Sequence, residues 1–345
     1  LVFIVPALMP AAAWLADRGL PLALATWFPL VFLFVLLPLA DYAIGHDPDN
    51  PGRVLEDDRW FRLLTLLTLP VHLAVLAWSA HWFVATAPGP LAALGWLLSQ
   101  GVVGGVLAIN TAHELIHKPG RLEQGVGGAL LASVGYHGFK IEHVRGHHVH
   151  VSTPEDASSA RYGQSLWHFM PRALWRNTRN AWRLEAARLG RRGLQPWHWR
   201  NELIGWSALW LAFALMAWLW LGWAGLGFFL AQGLFAACSL EIINYIEHYG
   251  LERRRIDGRY ERPTHLHSWN SDYALSNLLL FQLQRHSDHH ETPRRRYQDL
   301  VHHADSPQLP GGYAAMFVLA LVPPLWFRVI DPRVRAFRHA QASGA

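Results

Sequence analysis

Apolar runs of about twenty residues recur along this chain, and they leave it few ways to fold. A run of that length crosses a bilayer as a helix, because a helix satisfies its backbone polar groups within its own segment. Such runs lie near 1–16, 20–45, 61–86, 91–112, 203–222 and 226–247. The expectation is an all-α, integral membrane bundle of about six transmembrane helices, forming one membrane-embedded domain over 1–345. The polar segments 113–202 and 250–345 would form a His-rich helical cap. Charged residues make up only 16% of the chain, where a soluble domain carries about a quarter. The Gly-rich stretch 124–139 is too short to cross and reads as buried or re-entrant. The stretch 314–327 is also short and is interrupted by Pro323 and Pro324.

The basic residues set an expected orientation. Of the 30 Lys and Arg, 13 fall in 113–202 and 13 after position 250; Arg53 and Arg59 lie between the second and third runs, and only Arg18 falls in a loop on the other side. Positive charge stays on the cytoplasmic side, so both polar segments and both termini are expected there, at a bacterial inner membrane. The chain's pI of 9.6 then reflects topology and acidic lipid rather than nucleic acid. Within 171–190, Trp175, Trp182 and Leu189 recur at seven-residue intervals between arginines. That segment suits a helix on the membrane surface or one packed on the cap. The single cysteine, Cys238, excludes a disulfide or a C-x-x-C metal site within the chain.

Chemistry is concentrated in the 21 histidines. His113 and His117 stand four apart at the end of the fourth run; His143, His147 and His148 form a second cluster; His286, His289 and His290 form a third; His248 ends the sixth run. Spacings of three or four place imidazoles one turn apart on one helical face. Adjacent histidines such as His147 and His148 point about 100° apart, so they suit two metals side by side. His113-Glu114-Leu115-Ile116-His117 matches the H-E-x-x-H string of zinc proteases. A catalytic zinc of that kind takes three protein ligands, and nine clustered histidines are too many for it. They suffice for two metals, and imidazole suits zinc, copper, iron and nickel. Neutral imidazoles leave metal charge uncompensated, so nearby acids are expected to orient the rings. Glu114, Glu142, Glu247 and Asp288 flank ligands in sequence and are the candidates. His265 and His267 lie near the third cluster and could act likewise or not at all.

The segments "HELIHK", "EHVRGHH", "NYIEHYGLE", "HSWNS" (267–271) and "LQRHSDHH" closely resemble the membrane-bound alkane 1-monooxygenases, and the likeness runs from about Pro29 to Pro332. The three histidine clusters alone are shared with fatty acid desaturases, related hydroxylases and xylene-type monooxygenases; "NYIEHYGL" is the discriminating segment. The resemblance implies O2-dependent terminal hydroxylation of medium- to long-chain n-alkanes to 1-alkanols at a non-haem di-iron centre. It implies two Fe ions held by His113, His117, His143, His147, His148, His248, His286, His289 and His290, with Asn270 among the residues supporting them. By analogy with integral desaturases, His113, His117, His143, His148 and His289 would serve one iron, and His147, His248, His286 and His290 the other. The chain has no flavin, nicotinamide or thiolate motif, and the resemblance implies rubredoxin with its reductase as electron donor, separate or fused. The runs Arg253-Arg254-Arg255 and Arg294-Arg295-Arg296 could dock that acidic carrier or anchor phospholipid. Related hydroxylases or desaturases acting on fatty acyl or aromatic methyl groups are the alternative, and a metal transporter is a further one. A transporter's ligands would sit at mid-bilayer, whereas these lie at span ends.

Overall fold

The computed structural model describes residues 1–50, 52 and 59–343; Arg53 lies outside the described residues. Four helices are long and apolar enough to cross a membrane: Leu22–Ile44, Arg59–Thr86, Pro90–Ile116 and Glu202–His248. Sheet among the described residues is limited to the antiparallel pair Arg255–Ile256 and Arg259–Tyr260, with Arg255 opposite Tyr260. The protein is thus a helical membrane protein.

Glu202–His248 has 47 residues. Straight, it would extend about 70 Å, more than twice the hydrocarbon thickness of a bilayer. It does not run straight. The backbone breaks at Gly222, with φ 65 and ψ −159, a region open to glycine alone. Beyond the break the chain doubles back. The Phe213 and Phe229 rings lie 6.5 Å apart, although a straight helix would separate them by about 24 Å. The two arms correspond to the expected runs at 203–222 and 226–247. Asn201 starts the hairpin by accepting a hydrogen bond from the Leu203 N–H at 2.9 Å. The first expected run is Val2–Asp17, which is shorter than a crossing helix, so six crossings are not reached on length.

The returning arm packs closely on helix Pro90–Ile116. A Cβ at Gly101 would come within 2.5 Å of the Phe235 Cβ, so only glycine lets these two helices approach so far. Helix Arg121–Ser133 occupies the stretch expected to be buried or re-entrant; Leu130, Leu131, Ala132 and Ser133 are fully enclosed. Helix Leu166–Gly190 buries Ala173, Asn177, Ala181, Glu185 and Leu189, one residue in every four. That stripe packs on the segment 139–142 and on the hairpin. Trp175 remains 69% exposed while Leu189 is enclosed. The seven-residue series therefore does not form one membrane face.

Candidate metal centre

Four separate segments deliver the histidines. Helix Pro90–Ile116 carries His113 in its last turn and is followed by His117; the returning hairpin arm ends at His248; the short helix His286–Glu291 carries the third cluster. The second cluster lies on a π-helical turn, His143–His147. That turn decides which rings meet. In an α-helix residue i+4 lies over residue i, which would stack His147 on His143. The wider i→i+5 turn also brings His148 to His143, with their Nε2 atoms 3.0 Å apart. The His147 ring stays stacked on His143, with 5.1 Å between centroids, while its Nε2 meets that of His290.

The nine rings gather into two groups, His113, His117, His143, His148 and His289 in one and His147, His248, His286 and His290 in the other. Within each group, candidate ligand atoms all lie within 4.8 Å of one another. In the first, His148 Nε2 is 3.0 Å from His143 Nε2 and 3.1 Å from His289 Nε2. In the second, His290 Nε2 is 3.0 Å from His286 Nε2 and 3.2 Å from His147 Nε2, and His248 Nε2 is 3.3 Å from His286 Nε2. The groups abut, with the His148 and His290 rings 4.4 Å apart.

The donor set fits two metal ions. Burial first, and then neighbouring imidazoles, push His117, His143, His148, His286, His289 and His290 well below 6.5. These rings are neutral and offer lone pairs. Where two Nε2 atoms face each other, at most one can donate, so each group leaves lone pairs pointed at a shared centre. The Nε2 atoms of His113 and His117 are buried without a hydrogen-bond partner among the described residues. Such groups in a protein interior need a partner, and a divalent cation supplies one for all of them.

The acids expected around the rings divide sharply. Glu247 Oε2 lies 3.1 Å from His286 Nε2, beside the group of four. Glu114 turns away: it pairs with Lys118 Nζ at 2.9 Å and accepts from the Tyr297 N–H at 3.3 Å, so it is not the water-activating base of a zinc protease. Asp288 holds Arg295, the Val301 N–H and His303. Asn270 supports a loop, accepting from Ser287 Oγ and donating to Asp272. Glu142 is buried beside Gly146 rather than bonded to a ring. His265 pairs with Glu291 and Asp305; the His267 side chain lies against Thr264 and Glu261, and its backbone bonds to the His248 ring.

Sequence reasoning missed Asp156. Its Oδ2 accepts from His147 Nδ1 at 2.9 Å and from Ser159 Oγ at 2.6 Å. Burial alone would raise its carboxyl, but His147 beside it and these hydrogen bonds hold it below the usual carboxylate range. Asp156 lies in a loop nine positions after His147, a spacing with no helical meaning, so no local signal marks it.

An apolar pocket opens onto the rings. His113, His286 and Glu247 stand at one end; Val102, Leu240 and Ile243 line it further along, and Leu33, Phe34 and Leu37 close one wall. From Val102 to His113 the helix advances about 16 Å. An extended hydrocarbon could lie along that length with only its end at the metals.

The fatty acid desaturase family model matches residues 88–320. The chain is 56% identical over 319 residues to alkane 1-monooxygenase 2 of Pseudomonas aeruginosa, covering 90% of this chain and 84% of that protein. It is 53% identical over 337 residues to alkane 1-monooxygenase 1 of the same organism, covering 95% and 88%. To alkane 1-monooxygenase 2 of Alcanivorax borkumensis it is 53% identical over 317 residues, covering 90% and 83%.

Proposed function

Since the chain belongs to the alkane 1-monooxygenases, membrane hydroxylases of the fatty acid desaturase family, we propose that its nine gathered histidines hold two irons that hydroxylate the terminal carbon of n-alkanes. The observation that carries this reading is the meeting of an apolar pocket with two groups of gathered imidazoles. An alkane offers no acidic or basic handle, so the reaction needs an oxidant able to take hydrogen from an unactivated C–H bond. Two irons would supply that oxidant from O2 and two electrons; the chain's own residues do the rest.

Leu33, Phe34, Leu37, Val102, Leu240 and Ile243 desolvate the alkane and hold it extended. His113 and His286 line the pocket where it meets the ring groups, so a chain end reaching them would present its terminal methyl for reaction. Asp156 fixes the His147 ring by accepting from Nδ1, leaving Nε2 for the metal. Glu247 sets a carboxylate beside the group of four and offsets metal charge there. Because the pocket lies among membrane helices, substrate enters from the lipid. The distribution of basic residues supports a cytoplasmic position for the metal centre and both termini at an inner membrane, where rubredoxin would deliver electrons.

Metal analysis joined to product chromatography tests the reading. Purified protein should hold about two irons per chain and convert a mixture of n-alkanes, O2 and reduced rubredoxin to 1-alkanols. A single zinc with no alkanol formed would overturn it.

A further inference from the structure

Arg172 sits in the second turn of helix Leu166–Gly190. Its Nε and Nη2 are enclosed without a hydrogen-bond partner among the described residues. The Phe169 ring lies against it, with 5.9 Å between ring centre and Cζ. Burial, and then Arg176 and Arg161 beside it, push the Arg172 pKa below its ordinary value. A cation enclosed in this way is costly unless something negative meets it.

Arg172 lines a surface pocket together with Ser152, Asp156, Arg161, Tyr162 and Arg253. The acids on its wall are already committed. Asp156 accepts from His147, the Ser158 N–H and Ser159, and Glu252 pairs with Arg338. The hydroxyls are committed as well: Ser152 donates to the His267 carbonyl, Thr153 to the His150 carbonyl and Ser159 to Asp156. Arg253 uses Nε and Nη1 on the carbonyls of Glu261, Val149 and Val151. The Arg161 side chain is exposed and forms no ion pair among the described residues. What the pocket has left to offer is therefore guanidinium N–H groups, from Arg172 and Arg161. A guanidinium fork matches the paired oxygens of a phosphate.

We propose that this pocket binds a phosphate-type oxyanion, held by Arg172 and Arg161 and taken either from a phospholipid headgroup or from free phosphate. Five residues before Arg172, Trp167 is 54% exposed and donates its ring N–H to the Leu321 carbonyl. Tryptophans so placed mark the headgroup level of a membrane, which brings a lipid phosphate within the field of the pocket. The bound anion braces the loop 152–161. That loop carries Asp156, which fixes the His147 ring.

The test uses the full-length chain, delipidated in a phosphate-free maltoside detergent. Inorganic phosphate at constant ionic strength is one probe, and phosphatidylglycerol in mixed micelles is the other. Binding is read from the thermal melting midpoint and from broadening of the probe's phosphorus resonance. One probe or both should raise the midpoint saturably in the unaltered protein. Arg172→Gln and Arg161→Gln should each weaken half-saturation about tenfold, the loss expected of a hydrogen bond to a charged group. The paired change Arg179→Gln and Arg183→Gln, in the neighbouring pocket, should leave it unchanged. Saturation by phosphatidylglycerol alone identifies a lipid headgroup, and saturation by phosphate identifies the free anion. Should Arg172→Gln fail to fold, Arg161→Gln at its exposed position carries the same comparison. Half-saturation equal to the unaltered protein in Arg161→Gln and in any folded Arg172→Gln, or no response to either probe, overturns the proposal. The readouts involve no alkanol formation, so the oxygenase reading stands or falls separately.

Discussion

Asp156 shows how much a single side chain can settle at this centre. Its carboxylate fixes which nitrogen of His147 carries the proton, and so which one faces the ring group. Replacement of such a partner typically costs 10- to 100-fold in metal affinity or activity. Asp156→Asn, nearly the same size, should lower activity by about that much and leave the chain with less iron after dialysis against a chelator. Iron retention equal to the unaltered protein would show that Asp156 is merely a loop contact. The neutral rings carry a pH consequence as well. His117, His143, His148, His286, His289 and His290 titrate well below 6.5 in the fold, whereas an unfolded chain takes up protons near that value. The unfolded state then binds more protons as pH falls, and stability falls with it. Metal-depleted protein should melt at a clearly lower temperature at pH 5.5 than at pH 7.5; equal melting would contradict the burial of neutral rings.

Among the elements, the π-helical turns stand out because three of them coincide with the pocket and the ring groups. Phe32–Leu36 carries Leu33 and Phe34 into the pocket wall, Gly105–Asn110 lines it just before His113, and His143–His147 carries ligands. Such turns concentrate at functional sites. None was legible in advance, since apolar periodicity cannot distinguish one extra residue per turn. What could be read was the identity of the gathered rings, because His113/His117 and His286/His289/His290 keep spacings that share a helical face. Glu114 was misplaced for the opposite reason: its position beside a ring in sequence says nothing of Lys118, which claims it. The break at Gly222 was legible as the end of the run at 203–222, but its conformation was not, with no Pro or Asn beside it. Its conformation is nearly closed to other residues, so Gly222→Ala should cost about 1–3 kcal/mol. Thermal melting in detergent would measure it, and an unchanged midpoint would mean that the hairpin turns without strain there.

At the scale of the molecule, the proposed reaction needs the helices to confine a hydrocarbon between membrane and metals. Helix Pro90–Ile116 supplies both the pocket wall and His113, so depth along it translates into carbon count. Val102→Trp would fill the end about 16 Å from His113. Product chromatography on an n-alkane mixture should then show a shift toward shorter alkanols, with the shortest substrates converted as before. A uniform loss at every chain length would instead mean that the substitution disturbs helix packing.

The ring groups also impose an order on biosynthesis. The group of five lacks His289, and the group of four lacks His286 and His290, until the third cluster has been made. At about 5–20 residues per second, roughly 10–35 s separate synthesis of His113 from that of His289. Throughout that interval His113, His117, His143, His147 and His148 wait beside the membrane as an incomplete set. On the metal reading proposed above, metal capture would close the maturation of this enzyme rather than guide its insertion, and a ribosome stalled before His286 would leave both ring groups unfinished.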